Sequence, residues 1–191
     1  NEADKEAIDG GLKLQDGLLH LMSAFSPECD DNDTTERIIK TMYRLCRVER
    51  IGLFLCDWKK EQLVLSIARK NGARGIRIPM KGIAGNVARN GKCVNVLDAY
   101  KEPLFNSTMD QETGFKTKTI LAIPIRSHVL IDKKRGENYG KNLVLGVIQL
   151  INKKSGRVFK NRDVQLLITV AEMLGHNLDR KQKNGEIQNS K

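Results

Sequence analysis

Residues 143–152 form an almost unbroken apolar run, and this run limits the possible folds more than any other stretch of the chain. It is too short to cross a bilayer as a helix, which takes about 20 apolar residues. A short, nearly continuous apolar run is typical of a strand buried on both faces. We therefore expect this strand at the centre of a sheet that other elements cover.

The remaining patterns predict a mixed order of helices and strands. Apolar alternation favours strands at 50–57, 62–68, 93–97 and 119–127, with a short extended stretch at 75–79. Helical periodicity covers about 4–25, from a capping Asp33 to about Val48, and from a capping Asn161 to about Arg180. This order predicts an α+β fold: a central antiparallel sheet with long N- and C-terminal helices on one face and loops with short helices on the other.

The domain boundaries follow from the same patterns. Residues 1–33 are predicted to form an N-terminal helix and linker, 34–180 a single domain, and 181–191 a polar tail that is frayed or disordered. The charged stretch 132–142 is predicted to be a mobile insertion. The first residue is Asn rather than Met, so we expect the chain to be a piece of a longer protein.

Composition narrows the function classes. The formal net charge is +10, but the basic residues are scattered and only 5% of residues are aromatic, which argues against a nucleic-acid partner. No signal peptide or transmembrane run is evident, and the four cysteines lack CxxC spacing. These features predict a reducing, cytoplasmic setting. Three histidines far apart in the sequence predict no metal centre.

The stretch 81–125 carries the candidate binding chemistry. Gly82-Ile83-Ala84-Gly85 predicts a turn into a helix, whose free amides attract an anion. Asp110, Thr113 and Thr117 then supply polar groups for a buried ligand, although helix capping or surface exposure would equally explain the threonines. We expect this stretch to act as a lid over a small anionic ligand.

Several motifs, in this order, resemble the GAF domains that regulate cyclic-nucleotide phosphodiesterases and related adenylyl cyclases. The matching stretches are GIAGNVA (82–88), NVLDAY (95–100), PLFN (103–106), DQETGFKT (110–117) and IPI (123–125). The family's Asn-Lys-Phe-Asp-Glu signature corresponds to Asn152, Lys153, Phe159 and Asp163, with Val164 in place of the Glu. The resemblance covers about 34–178, and the phosphodiesterases of kinetoplastid parasites are a plausible closer group.

The resemblance implies a 3′,5′-cyclic purine nucleotide as ligand and no other cofactor. The amides of Ile83 and Ala84 would hold the cyclic phosphate, and residues around Asn106 would close over it. Asp110, Thr113 and Thr117 match the family's polar contacts. Thr117 is expected on the surface or in the lid, so that losing its hydroxyl would cost the fold only about 1 kcal/mol. Lys153 and Asp163 are expected to form an ion pair between the central strand and the last helix.

The base-facing positions favour cyclic AMP over cyclic GMP. Gln149 lies where the family often has a Glu or Gln, and its amide suits either purine. Arg69 aligns with a base-edge position, where a pure donor favours the unprotonated N1 of adenine. Ala68 and Gly52 stand where some relatives carry a stacking aromatic and a Ser.

The expected mechanism is allosteric, because ligand binding would order the lid over residues 98–119. Apolar stripes on the flanking helices predict a parallel homodimer that continues toward a catalytic domain in the parent chain. The chain itself is expected to be a regulatory domain rather than an enzyme. The alternatives are a GAF domain that only dimerises, a GAF domain of an adenylyl cyclase, a sulfoxide reductase of the free-methionine type, and a chromophore-binding domain. The last two lack suitably placed cysteines.

Overall fold

The computed structural model describes residues 16, 17, 19, 20, 23, 31–68, 75–128, 143–154 and 158–188. The chain divides into two compact units, Asn1–Val48 and Glu49–Lys191. Most of the predicted first helix, the insertion at 132–142 and Arg69 lie outside the described residues. Within the predicted first helix, residues 16, 17, 19, 20 and 23 are helical.

The first unit contains helix α1, Asp31–Cys46. Its buried side chains repeat at helical spacing and include Ile38, Met42 and Cys46, as the periodicity predicted. Two boundary predictions were wrong. Asp33, predicted as the N-cap, is already helical, and Val48 belongs to the first strand. Arg47 has a φ of 49°, a left-handed conformation that ends the helix there.

The second unit is built on a six-stranded sheet with the order β3-β2-β1-β6-β5-β4. The strands are β1 (Val48–Asp57), β2 (Gln62–Ala68), β3 (Arg77–Pro79), β4 (Val94–Val96), β5 (Ile120–Arg126) and β6 (Val144–Lys153). The pairs β1–β2, β2–β3, β4–β5 and β5–β6 are antiparallel. The apolar run at 143–152 forms β6, next to β1 and β5, so its predicted central position is confirmed.

Helices cover the two faces of this sheet. Helix α2 (Gly82–Asn90) packs over β5 and β6, while α4 (Asn161–Gln188) packs against β5 and β6 from the other side. Between them lie a one-turn 3-10 helix (Ala99–Lys101) and α3 (Thr108–Thr113). The predicted α+β layout is confirmed. The buried apolar side chains of α4 are Leu166, Leu167, Val170, Ala171 and Leu174.

Both ends of α4 differ from the prediction. The helix continues to Gln188, eight residues beyond the expected end at Arg180, so the expected frayed tail is helical over 181–188. Asn161 is the first helical residue and not its cap. Instead, the backbone amide of Lys160, just before the helix, donates to the carboxylate of Asp163 over 2.9 Å. Asp163 is the third helical residue, and its side chain satisfies an amide that has no partner within the helix.

Two glycines explain the shape of the turn into α2. Gly82 has a φ of 67°, which favours a residue without a Cβ. Gly85 lies so close to the preceding turn that an added Cβ would be 2.4 Å from the carbonyl carbon of Met80 and 2.6 Å from its oxygen. Backbone atoms cannot move aside as a side chain can, so the turn requires glycine at this position.

We therefore expect Gly85→Ala to lower the free energy of unfolding by about 3 kcal/mol, because the added methyl must displace backbone. Trp58, the single tryptophan of the chain, provides the fluorescence signal for denaturant unfolding. Gly114→Ala is the matched control. Gly114 also has a positive φ (66°) but has no neighbour within 4 Å of its would-be Cβ, so only about 1 kcal/mol of backbone strain is expected. Equal losses in the two variants would contradict the close-approach argument.

Candidate ligand-binding site

The N-terminus of α2 presents backbone amides on one face of the sheet. Ile83 and Ala84 are buried first-turn residues, and the preceding Lys81 makes no side-chain cap. First-turn amides have no acceptor inside their own helix, and the helix dipole adds partial positive charge there. The turn therefore has the donor groups that an anion needs.

Gln149 lies on the same face of the sheet, beneath this helix. Its Cα partner on β5 is Ala122, which packs in one apolar cluster with Ile83 and Ala84. Directly paired residues of neighbouring strands point to the same face. Gln149 is 8% exposed, and its amide lies on a sheet face that is otherwise largely apolar. A side-chain amide has both donors and an acceptor, so it can pair with the polar edge of a ligand on this face.

The segment 98–119, called the lid segment below, is held by the carboxylate of Asp110. Asp110 is 9% exposed and accepts hydrogen bonds from the amide of Thr117 at 2.6 Å and from its hydroxyl at 2.8 Å. A third bond comes from the hydroxyl of Tyr100 at 3.1 Å. We call these three residues the Asp110 cluster. It ties α3 to the loop that leads into β5 and to the 3-10 helix.

Tyr100 also contacts two further residues of the lid segment. Its ring lies 5.2 Å from the ring of Phe105, and the ammonium of Lys116 lies 5.9 Å from its centre. Desolvation of the phenol, followed by its hydrogen bond to Asp110 and the charge of that carboxylate, raises the pKa of Tyr100. The phenol therefore keeps its proton and acts as the donor. Sequence reasoning quoted Tyr100 within a motif but gave it no role.

The other two predicted lid residues make local contacts. Thr113 is exposed, and its hydroxyl donates to the carbonyl of Met109 in its own helix at 2.6 Å. Asn106 is also exposed and accepts from the amide and hydroxyl of Thr108 at 2.9 and 2.6 Å, which shapes the start of α3. The roles of both residues toward a ligand stay predictions.

A groove of about 960 Å³ lies along the lid segment, but it differs from the predicted ligand face. Ile83, Ala84 and Gln149 do not line it. Its one buried carboxylate, Asp110, already accepts three hydrogen bonds. We therefore take the Gln149 amide and the α2 amides as the centre of the candidate site, while Asp110 and Thr117, two further predicted site residues, line the groove. The residues that line the groove are Leu97, Asp98, Tyr100, Asp110, Gln111, Gly114, Phe115, Lys116, Thr117 and Lys118.

Asn152 anchors the base of the lid segment. It is buried with a φ of 55°. Its side-chain oxygen accepts from the amides of Lys118 and Thr119 at 2.6 and 3.3 Å. Its amide nitrogen donates to the carbonyl of Lys116 at 2.8 Å and to the carboxylate of Glu49 at 2.9 Å. One side chain therefore joins the end of β6, the lid segment and the start of β1.

Lys153, next in the chain, makes the ion pair that was predicted. Its ammonium contacts the carboxylate of Asp163 at the start of α4, and both side chains are largely buried. Phe159 is buried beside them, with the Lys153 ammonium 5.9 Å from its ring centre. The carbonyl of Phe159 accepts a hydrogen bond from Asn95 on β4 at 3.1 Å. The four signature residues thus connect β6, β4 and α4.

The described residues contain no group of three His, Cys, Asp or Glu side chains that could hold a metal ion. Within the same part of the chain, no helix has the length and apolar character needed to span a membrane.

The profile of the GAF domain family matches residues 31–178. This chain belongs to the GAF domain family. Among curated proteins it is similar to the probable 3′,5′-cyclic phosphodiesterase pde-5 of Caenorhabditis elegans, with 34% identity over 174 residues. That alignment covers 83% of this chain but 22% of the relative, so the chain spans about a fifth of the relative's length.

Solved structures show the same fold at low sequence identity. The GAF domain of a phosphoenolpyruvate-protein phosphotransferase from Coxiella burnetii superposes with a TM-score of 0.73 at 17% identity, covering 92% of this chain and 98% of that one. A free methionine-R-sulfoxide reductase from Neisseria meningitidis in complex with its substrate gives 0.65 at 19% identity, covering 91% and 93%. At these identities the likeness concerns the fold alone.

The burial of Thr117 changes the expected cost of losing its hydroxyl. Because that hydroxyl is buried and bonded to a carboxylate, we expect Thr117→Val to cost about 2 kcal/mol. Hydrogen exchange of residues 108–118 should speed up in this variant. Thr113→Val is the control, since its hydroxyl is exposed, and it should change stability by less than about 0.5 kcal/mol. Equal exchange in the two variants would show that the Asp110 cluster does not hold the lid segment.

Neutralising Asp163 tests the ion pair with Lys153. We expect Asp163→Asn to lower the free energy of unfolding by about 3 kcal/mol, because the change leaves a largely buried ammonium without a counter-charge. Denaturant unfolding followed by Trp58 fluorescence gives the value. Glu61→Gln is the control. It removes an exposed partner of Arg89, 3.2 Å away, and should cost less than about 1 kcal/mol. A similar small loss in both variants would mean that the Lys153 pair contributes little.

Proposed function

We propose that this chain is a regulatory GAF domain of a cyclic-nucleotide phosphodiesterase and that it binds a cyclic purine nucleotide, with cyclic AMP favoured over cyclic GMP. The observation that carries the proposal is Gln149, a largely buried amide on the same sheet face as the first-turn amides of α2, in otherwise apolar surroundings. The relative named as a cyclic phosphodiesterase supports this ligand class.

The two ends of the proposed site suit the two ends of the ligand. The amides of Ile83 and Ala84 would hold the cyclic phosphate, whose single negative charge matches a helix N-terminus. The amide of Gln149 offers both a donor and an acceptor to the purine edge. The preference for adenine rests on Arg69, which lies outside the described residues, together with this amide.

The lid segment supplies the remaining polar groups. Asp110 accepts three hydrogen bonds, and a carboxylate has about four acceptor sites, so one contact to a ligand can be added without breaking the cluster. The Thr117 hydroxyl donates to Asp110 and can still accept. Thr113 and Asn106 would reach the nucleotide only if they turn away from their present local bonds. We therefore expect Asp110 and Thr117 to contribute more to nucleotide affinity than Thr113 and Asn106.

Regulation would follow from linkage between the lid segment and α4. Opening the lid segment must break contacts such as the stacking of the Arg50 guanidinium 3.5 Å above the centre of the Phe115 ring. Nucleotide binding would shift the equilibrium toward the closed arrangement by as much as the nucleotide binds that arrangement more tightly than the open one. Gln149 lies four residues before Lys153, which pairs with Asp163 at the start of α4. Strand β6 and this ion pair would offer a route from the ligand to the helix.

Dimerisation through the flanking helices is the second function that an observation favours. Helix α4 continues ten residues beyond the last residue matched to the family, Leu178. A helix that extends beyond its domain is suited to pair with a second copy or to join a following domain. Sedimentation that finds only monomer at high concentration would contradict a dimer of this chain. A GAF domain that dimerises without binding nucleotide is the competing proposal.

Cysteine catalysis is less well supported. Cys56 is half-buried, and burial raises the pKa of its thiol to about 12, so the reactive thiolate is essentially absent near neutral pH. Cys46 is buried and Cys93 is exposed. No turnover of cyclic nucleotide by the purified chain is expected.

The decisive test is calorimetric titration of nucleotide-free protein with cyclic AMP and with cyclic GMP. Saturable binding of one of them is expected, with cyclic AMP tighter. Gln149→Leu should weaken binding at least about tenfold and reduce the difference between the two nucleotides, because an amide that pairs with the base edge is lost. Gln165→Leu, an exposed position on α4, is the matched control and should leave affinity unchanged.

Absence of both heat and thermal stabilisation with either nucleotide, from a folded sample, would reject nucleotide binding. The dimerisation domain would then be the better explanation. Binding that is unaffected by Gln149→Leu would keep the ligand class but remove Gln149 from the site.

A further inference from the structure

The ring of Phe54 lies over Gly52 on strand β1. A Cβ added to Gly52 would be 2.9 Å from Cε2 of Phe54 and 3.3 Å from its Cζ. The ring tip therefore occupies the space that a side chain at position 52 would need. Gly52 pairs with Ala68 on β2, so two of the smallest residues stand opposite each other where the ring lies.

Phe54 faces the candidate ligand site. Its side chain packs against the cluster that contains Ile83, Ala84 and Ala122, which places it on the same face of the sheet as Gln149. Strands β1 and β6 are neighbours in the sheet, so Phe54 and Gln149 come from adjacent strands. Phe54 is only half-buried and leaves part of its aromatic surface uncovered.

We infer that the Phe54 ring is the surface on which the purine base stacks, with Gln149 at the edge of that base. This inference rests on the proposed nucleotide-binding function. The α2 amides, the half-buried Phe54 ring and the Gln149 amide share one sheet face, and a cyclic nucleotide needs one of each: an anion site, a stacking surface and a polar edge.

Ala68, which pairs with Gly52, cannot stack on a base itself. Alanine has no ring to stack on a base, whereas Phe54 offers one from the neighbouring strand. The absence of a side chain at Gly52 permits this position of the ring, because even a methyl group there would push the ring tip aside. Stacking does not distinguish purines strongly, since every base has a π-face. Phe54 therefore sets affinity, and Gln149 contributes to base choice.

The test compares Phe54→Leu, Phe54→Tyr and Gly52→Ala with the unaltered chain, each titrated with cyclic AMP and cyclic GMP. Phe54→Leu should weaken both nucleotides by a similar factor of roughly tenfold, the range seen when a stacked aromatic is lost. Phe54→Tyr keeps the ring and should restore binding to within about threefold. Gly52→Ala leaves Phe54 in place but shifts its ring, and should weaken both nucleotides several-fold.

Proton NMR of the bound nucleotide gives a readout that a purely structural role would not change. Ring current from Phe54 should move the purine H2 or H8 resonance upfield, and Phe54→Leu should abolish that shift at saturating nucleotide. Thermal unfolding of each variant without ligand shows whether it is folded. If Phe54→Leu does not fold, the inference is decided by Gly52→Ala and by the upfield shift in the unaltered chain.

The outcomes separate the two proposals. If the unaltered chain binds neither nucleotide, the proposed function and this inference both fail. If it binds but Phe54→Leu and Gly52→Ala keep full affinity and no upfield shift is seen, only the stacking role of Phe54 is overturned. A loss with cyclic AMP alone would also overturn it, because it would mean that Phe54 selects the base rather than supporting any purine.

Discussion

The hydrogen bonds of Asn152 hold together the part of this domain on which the candidate site depends. A buried side-chain amide has two donors and an acceptor to satisfy, and here all of them meet backbone or carboxylate groups from two segments, the loop before β5 and the start of β1. The residue also has a positive φ of 55° near the end of β6. Any movement of residues 116–119 would leave buried polar groups without partners, which is costly.

The lid segment is also held by hydrogen bonds to one buried side chain, in this case the carboxylate of Asp110. The carboxylate of Asp110 accepts hydrogen bonds from two separate parts of the segment, so α3 and the loop before β5 are held to each other, while Asn152 holds that loop to β6. The Arg50 guanidinium on β1 adds a further contact, 3.5 Å above the centre of the Phe115 ring.

Sheet geometry decides which residues form the candidate site. Ile83, Gln149 and Phe54 come from positions up to 95 residues apart in the chain, and they share a face because of strand order and the alternation of side chains. The opposite face is apolar and is covered by α4. The sheet thus lies between the candidate-site face and α4, and the Lys153–Asp163 pair connects β6 to that helix.

The sequence alone determined the elements with strong periodicity. The apolar run of β6, the alternation of β2 and the stripe of α4 were predicted because burial imposes these patterns residue by residue. Motifs also predicted the glycine turn before α2 and the Lys153–Asp163 pair. Helix ends were placed less well: Asp33 and Asn161 can both act as caps, yet each is already helical, and it is Asp163 that bonds the amide before α4.

Only the tertiary structure decided how the polar groups are used. Asp110 and Thr117 look like ligand contacts in a motif, but in the fold their first partners are each other, and Tyr100 joins them from ten residues away. No sequence pattern predicts that the Phe54 ring lies over Gly52, because this position of the ring depends on the absence of a side chain at residue 52. Periodicity records burial along one element, whereas hydrogen-bond partners and ring positions depend on elements that meet only after folding.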